Sequence, residues 1–223
     1  MVGSSKVYKV ISYVIMILWA LIIILPFLLL LMSSLTDEQV LVANGYSFFP
    51  AKFSIASYAY IFQSGDTIMQ AYGISILVTV IGTLVSVALS ALMAFPLSIN
   101  TLPGRRVMMF FVFFTMLFSG GIVPSYIMWS NTFKIKDTLL AQLVPNLLMS
   151  GWNAMMIRTY FSNSIPYAIY EAAEIDGANH LQVFTKIVLP MGKPILITIG
   201  TFAGLGYWND WTNGLYYLSP RDG

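Results

Sequence analysis

An all-α, polytopic bundle of transmembrane helices is the fold class that this sequence predicts, on three observations. Hydrophobic residues make up 58% of the 223-residue chain. Charged residues make up 9%, where ordinary soluble domains carry about 25%. The apolar residues also gather in runs long enough to cross a bilayer as a helix, which takes about 20 residues. A soluble core of this size cannot bury so much apolar surface.

Five spans are expected, near 10–32, 70–97, 107–129, 139–157 and 194–208. The first follows Lys6 and Lys9. No small-x-small cleavage pattern closes it, and Pro26 with a leucine cluster stands there instead, so it reads as a retained span rather than a removed leader. A polar and aromatic segment, 33–69, separates it from the second span. The later breaks are "NTLPGRR", "SNTFKIKDT", a polar stretch at 164–194 and the tail "NDWTNGLYYLSPRDG". In "FSGGIVPSY", Gly120, Gly121 and Pro124 predict a broken or kinked end to the third span. In "GTFAGLG", the Gly200 and Gly204 spacing suits close helix packing, and with Gly206 it also permits bending. The whole chain, 1–223, is one membrane domain without a repeat or soluble module.

Orientation follows from basic residues near the span ends. With the N-terminus cytoplasmic, the inner side holds seven: Lys6, Lys9, Arg105, Arg106, Arg158, Lys186 and Lys193. The outer side holds four: Lys52, Lys134, Lys136 and Arg221. Acids lean the other way, with Glu171, Glu174 and Asp176 inside and Asp37, Glu38, Asp66, Asp137, Asp210 and Asp222 outside.

Several chemistries are excluded. A net charge of +2 with scattered basic residues gives no nucleic-acid footprint. Without cysteine there is no disulfide or thiolate. A single histidine, His180, makes no metal site and has no nucleophile partner. No G-x-x-x-x-G-K-[ST] phosphate loop occurs, because "GKP" at Gly192 lacks the spacing and the hydroxyl. No acid sits mid-span, where an ion-coupled carrier or an intramembrane enzyme needs one.

The polar stretch breaks this pattern. "EAAEIDGANHLQVFTKIVLPMGKP", 171–194, reads as a helical hairpin. Ser164 is placed to cap a first helix with Pro166 in its first turn. Gly177 is placed to end it in the left-handed conformation. Asn179 and Gln182 form a capping box for a second helix, whose Leu181, Phe184, Ile187 and Val188 share a face. Pro190 and Pro194 are expected to end that helix and return the chain to the bilayer. Two readings fit: a stiff lever that a partner grips through Glu171, Glu174 and Asp176 beside the small Ala172 and Ala173, or an interfacial helix lying on headgroups. Acidic residues on the first half disfavour a seat on anionic lipid.

The stretch resembles the EAA loop of ABC-importer permease subunits, through Glu171, Ala172, Ala173, Asp176, Gly177, Ala178, Phe184, Ile187, Pro190 and Pro194. "WND", 208–210, and "FFPAKFSIASYAYIF", 48–62, are similar to segments of the carbohydrate-uptake branch, the maltose and oligosaccharide type. "FSGGIVPSY" resembles oligosaccharide permeases, uronic-acid types among them. The resemblance implies a non-catalytic subunit of a bacterial inner membrane. Its EAA loop, with Glu171, Ala172, Ala173, Glu174, Asp176, Gly177 and Ala178, would couple to a cytoplasmic ATPase. The implied partners are two ATP-binding cassette subunits, a second homologous permease, an extracytoplasmic solute-binding protein and membrane lipid, with no nucleic acid. This chain would hold no cofactor, ATP and Mg being bound by the ATPase. The substrate would be a sugar or oligosaccharide, with a non-sugar solute such as an amino acid or phosphate as the alternative. Family members usually have six spans, so a further span and a C-terminally incomplete chain are expected.

For the passage, Gln142, Asn146 and Asn153 in the fourth span fall within roughly 40° of one another on a continuous helix, with Thr138 extending the stripe. Their amides suit sugar hydroxyls, and they equally suit hydrogen bonding between helices. Trp152 and Trp208 offer flat faces for sugar rings or act as interface anchors.

Overall fold

Residues 6–63 and 65–219 are described in the computed structural model, and among them the only strand-like pairing is an isolated antiparallel bridge between Thr36 and Phe53. The all-α expectation is met. Arg221 and Asp222, counted in the charge balance, lie outside the described residues. The chain divides into two compact units, Met1–Ala71 and Tyr72–Gly223.

In the first unit, α1 (Lys6–Ser34) runs 29 residues, about 44 Å of helix. Pro26 lies inside it, and Ser33 is its only buried residue. The helix is longer than the expected 10–32 because the basic N-terminal turn continues the same pattern. Beyond it, Asp37 caps α2 (Glu38–Asn44) by accepting from the Gln39 N–H at 3.2 Å. The same carboxylate takes the Lys52 ammonium at 2.8 Å. Backbone bonds from Asp37 N to Lys52 O (3.1 Å) and from Ser54 N to Leu35 O (2.9 Å) tie the two stretches together. α3 (Ala56–Gln63) follows, its Tyr58 hydroxyl 2.8 Å from Ser34 Oγ.

α4 (Gly65–Ser98) has 34 residues, and the second unit is built on its later turns. Among the described residues, α1 and α4 are the helices long and apolar enough to cross a membrane, and there are up to four such spans if each of two bent pairs counts as one. The first bent pair is α5 (Arg105–Leu117) with α6 (Ile122–Ile127), which continues through a π turn, Met128–Thr132; the bend is 110°. The break at 118–121 is the one that the glycines predict, and Gly121 has φ +83°.

The expected span at 139–157 is corrected. α7 (Leu139–Leu143) stops after five residues, the chain runs irregularly through 144–150, and α8 (Gly151–Ser164) follows. Pro145 has no N–H to continue the ladder, and Asn146 takes a left-handed φ of +63°, which Asn tolerates better than most residues.

α9 (Tyr167–Ile175), α10 (His180–Val183) with a π turn (Phe184–Val188), and α11 (Leu189–Met191) form the hairpin. α12 (Lys193–Trp208) leaves at a 78° bend, and α13 (Thr212–Tyr217) ends the described chain. The core gathers Ala94 and Phe95 of α4, Ile157 and Phe161 of α8, Ala173 of α9, Phe184 and Val188 of the π turn, and Ile199 of α12. The Phe95 and Phe184 rings lie 5.2 Å apart. Gly200 and Gly204 face α4, where an added Cβ meets Val87 at 3.7 Å and Thr83 at 3.4 Å.

Candidate functional site

The hairpin begins where Ile165, ahead of Pro166, is held extended at φ −106° and ψ 111°, as residues before proline usually are. That ends α8 at Ser164. Pro166 is therefore the cap residue of α9, and the expected Ser164 cap is corrected.

At the other end, Gly177 takes φ +76°. Its N–H donates to Glu174 O at 3.0 Å, and the Ala178 N–H reaches Ala173 O at 2.9 Å. Those two bonds define a Schellman closure. Asn179 and Gln182 then form the predicted capping box, at 2.9 and 3.0 Å. The turn is closed on both sides, so the hairpin tip is stiff.

Of the expected coupling residues, Glu171, Ala172, Glu174, Asp176 and Gly177 are exposed. Ala173 is buried, and Ala178 is half-buried against the core. Ile175, which the sequence reading passed over, is 86% exposed among these acids. Its signal was an isoleucine on the polar side of an otherwise sorted helix. The second helix departs from its expected face, since Leu181 is 66% exposed while Val183, Phe184 and Val188 are buried. α10 lasts only four residues before the Leu189 N–H bonds back to Phe184 O, five positions away, which widens the helix. Pro190 and Pro194 do not end helices. They sit in the first turns of α11 and α12, where a missing N–H is tolerated. The chain turns at Gly192, where a Cβ would lie 2.5 Å from Phe161 Cε1 and 2.9 Å from Val188 O.

Two arginines brace the ground beneath the hairpin. The Arg105 and Arg158 Nε atoms donate to Leu97 O at 2.8 and 3.2 Å. Cations there complement the negative end of the α4 dipole. A cleft of about 220 Å³ separates the 99–103 turn from the hairpin, lined by Tyr167, Tyr170, Glu174 and His180. Burial pushes the Tyr170 phenol up.

The passage candidates are not one helical stripe. Gln142 lies in the last turn of α7, Asn146 stands in the irregular stretch and Asn153 lies in the first turn of α8, so the periodicity of one continuous helix does not apply to them. Asn146 is exposed, while Gln142 and Asn153 are half-buried. The break is nonetheless built. The Tyr207 hydroxyl donates to Leu143 O (2.8 Å), Asn213 Nδ2 to Pro145 O (3.0 Å) and Ser86 Oγ to Leu147 O (3.3 Å). Non-helical backbone at membrane depth requires such partners. The "VPN" at 144–146 carried a turn signal that the apolar run concealed. Trp152 and Trp208 are both exposed.

A membrane helix bundle with a polar hairpin closed by caps and rooted in its core is the architecture of a transport permease. The comparisons agree: the chain belongs to the family of binding-protein-dependent transport system inner membrane components, whose model matches residues 71–220. It thus stands among the permease subunits of ABC importers, as its EAA-like motif implied. Among similar proteins, the polygalacturonan/rhamnogalacturonan transport system permease YtcP of Bacillus subtilis is 37% identical over 97% of this chain and 74% of its own length. The diacetylchitobiose uptake permease NgcG of Streptomyces coelicolor is 29% identical over 93% of this chain and 68% of its own. A crystal structure of a bacterial ABC transporter involved in the import of the acidic polysaccharide alginate contains a chain that superposes with a TM-score of 0.83 at 26% identity, covering 99% of this chain and 78% of that one.

Proposed function

We propose that this chain is one of two permease subunits in an ATP-driven importer of oligosaccharides. The single observation that carries this reading is the hairpin. Its exposed acidic tip is closed at Gly177 and Asn179, while Ala173, Phe184 and Val188 are packed into the core with α4, α8 and α12. Such an element conveys displacement, because a close-packed core moves as a unit. The tip, Glu171, Ala172, Glu174, Ile175, Asp176 and Gly177, seats in a cytoplasmic ATPase subunit. That partner binds the ATP and Mg, and this chain holds no cofactor. The N-terminus then lies in the cytoplasm, and a solute-binding protein delivers the sugar outside. The saccharide assignment follows the specificities of the similar permeases. Gln142, Asn146 and Asn153, grouped about the built break, supply amides for the sugar path.

Two measurements test this. The ATPase subunit co-purifies with the wild type and is lost with Glu171→Lys. Proteoliposomes holding the complete complex take up labelled oligosaccharide only with ATP inside the compartment that the hairpin faces. Uptake by this chain without the ATPase refutes the reading.

A further inference from the structure

The segment between α1 and α4 is used neither by the passage nor by the hairpin. Within it, seven of the 17 residues at 46–62 are phenylalanine or tyrosine. All seven are exposed, Phe49 by 87%, Phe53 by 69% and Phe62 by 82%, and Ile55 stands out beside them. The single charged residue of the stretch, Lys52, is neutralised by Asp37 at 2.8 Å. Apolar surface of this density marks a contact with protein or with membrane.

The stretch is also fastened to the end of a spanning helix. The Asp37 N–H donates to Lys52 O at 3.1 Å and the Ser54 N–H to Leu35 O at 2.9 Å, while the Tyr58 hydroxyl lies 2.8 Å from Ser34 Oγ. These bonds hold 52–58 against the C-terminal end of α1, which is long and apolar enough to cross a bilayer. Where α1 leaves the membrane, the rings are therefore at the level of the headgroups.

Composition decides between the two kinds of contact. Aromatic side chains gather at the membrane–water boundary, where an apolar body meets a wet rim. A soluble protein that docks and departs returns such rings to water each time, whereas the bilayer stays. The depth is bounded too. Residues 45–55 are not helical, so their backbone groups need water or headgroups as partners and do not enter the hydrocarbon. With its one cation paired, the stretch is drawn by apolar contact and not by anionic lipid.

We infer that 46–62 is an interfacial anchor, its aromatic side chains seated among the headgroups of the leaflet at which α1 ends. The anchor fixes the depth of α1. It is independent of the cargo and of the ATPase.

The chain has no cysteine, so each single-cysteine variant carries one nitroxide. Phe49→Cys and Phe62→Cys are labelled in the full chain, alone and assembled with cysteine-free partner subunits. The nanodiscs are of phosphatidylcholine, with and without phosphatidylglycerol. Collision rates with oxygen, which concentrates in lipid, and with a water-soluble nickel chelate report depth as their ratio. Trp19→Cys, midway along α1, marks the hydrocarbon, and free label in buffer marks water. Expected at both sites is an oxygen-to-nickel ratio several-fold above that of free label and below that of Trp19→Cys, equal in the two lipid mixtures. Replacing Phe49, Phe53 and Phe62 together by serine should lower the ratio at an Ile55→Cys label toward that of free label. The melting temperature stays unchanged, because these side chains are exposed. A ratio equal to that of free label at both sites overturns the anchor. So does an Ile55→Cys ratio that the serine variant does not move, or protection that requires phosphatidylglycerol. Suppression of both collision rates shows a protein covering the rings and overturns it as well. If that suppression needs the solute-binding protein, the surface belongs to its docking; if it needs only the assembled complex, to the second permease.

Discussion

At Gly177 the reason for the residue is conformational only. Its φ is +76° and an added Cβ meets nothing within 4 Å. Substitution therefore isolates the left-handed penalty, about 1–2 kcal/mol for an ordinary L-residue. Gly177→Ala is expected to lower ATPase capture by loosening the tip, with the helix content by circular dichroism unchanged. Unaltered capture would show that the closure does not position the tip. Asp37 is a second single-residue case. The Lys52 ammonium hydrogen-bonded to it holds its carboxyl below the ordinary value. The contribution of the pair is then complete above the ordinary aspartate pKa, near ~3.9, and is lost as pH falls through the lower folded value. Carboxyl 13C shifts should report a depressed midpoint that Lys52→Met moves upward. At this scale the sequence was legible wherever chemistry is local: Gly177, Asn179 and Gln182 do what their types predict. Ser164 was not, because Pro166 acts on its neighbour and ends the previous helix first.

Among the elements, the long apolar helices were readable and the broken ones less so. α1 and α4 follow from hydropathy. The 118–121 break follows from its glycines. The 144–150 break hides in an apolar run, since the carbonyls in and beside it are satisfied by Ser86, Tyr207 and Asn213, at least 61 residues away in sequence. Periodicity sees only local spacing, so Gln142, Asn146 and Asn153 were aligned on a helix that does not exist. Asn213 tests the break directly. It is 1% exposed and donates to Pro145 O at 3.0 Å. Asn213→Leu should cost about 1–3 kcal/mol by leaving that carbonyl unpaired, and should raise amide exchange at 146–149. Exchange equal to wild type would mean that the break is held by something else. Gly192→Ala probes the opposite end. The new methyl must displace the Phe161 ring or the Val188 carbonyl, so the 78° bend should open and the melting temperature fall.

On the scale of the whole molecule, the proposed contact with a motor and the proposed transmission of its movement would fall to different residues. Ile175 is 86% exposed and Phe184 is 6% exposed, yet both belong to one hairpin. Ile175→Asp changes only the surface offered to a partner. ATPase capture should drop, with thermal stability unchanged. Phe184→Ala leaves that surface intact and empties a space beside Phe95. Truncations of this kind cost about 3–5 kcal/mol in a close-packed core, because the lining collapses only in part. The hairpin then still seats in the ATPase but is no longer rigidly joined to α4, α8 and α12. Capture should persist while solute moved per ATP hydrolysed falls. Equal transport per ATP in Phe184→Ala and wild type would show that movement reaches the bundle by another route, and the hairpin would then serve attachment alone.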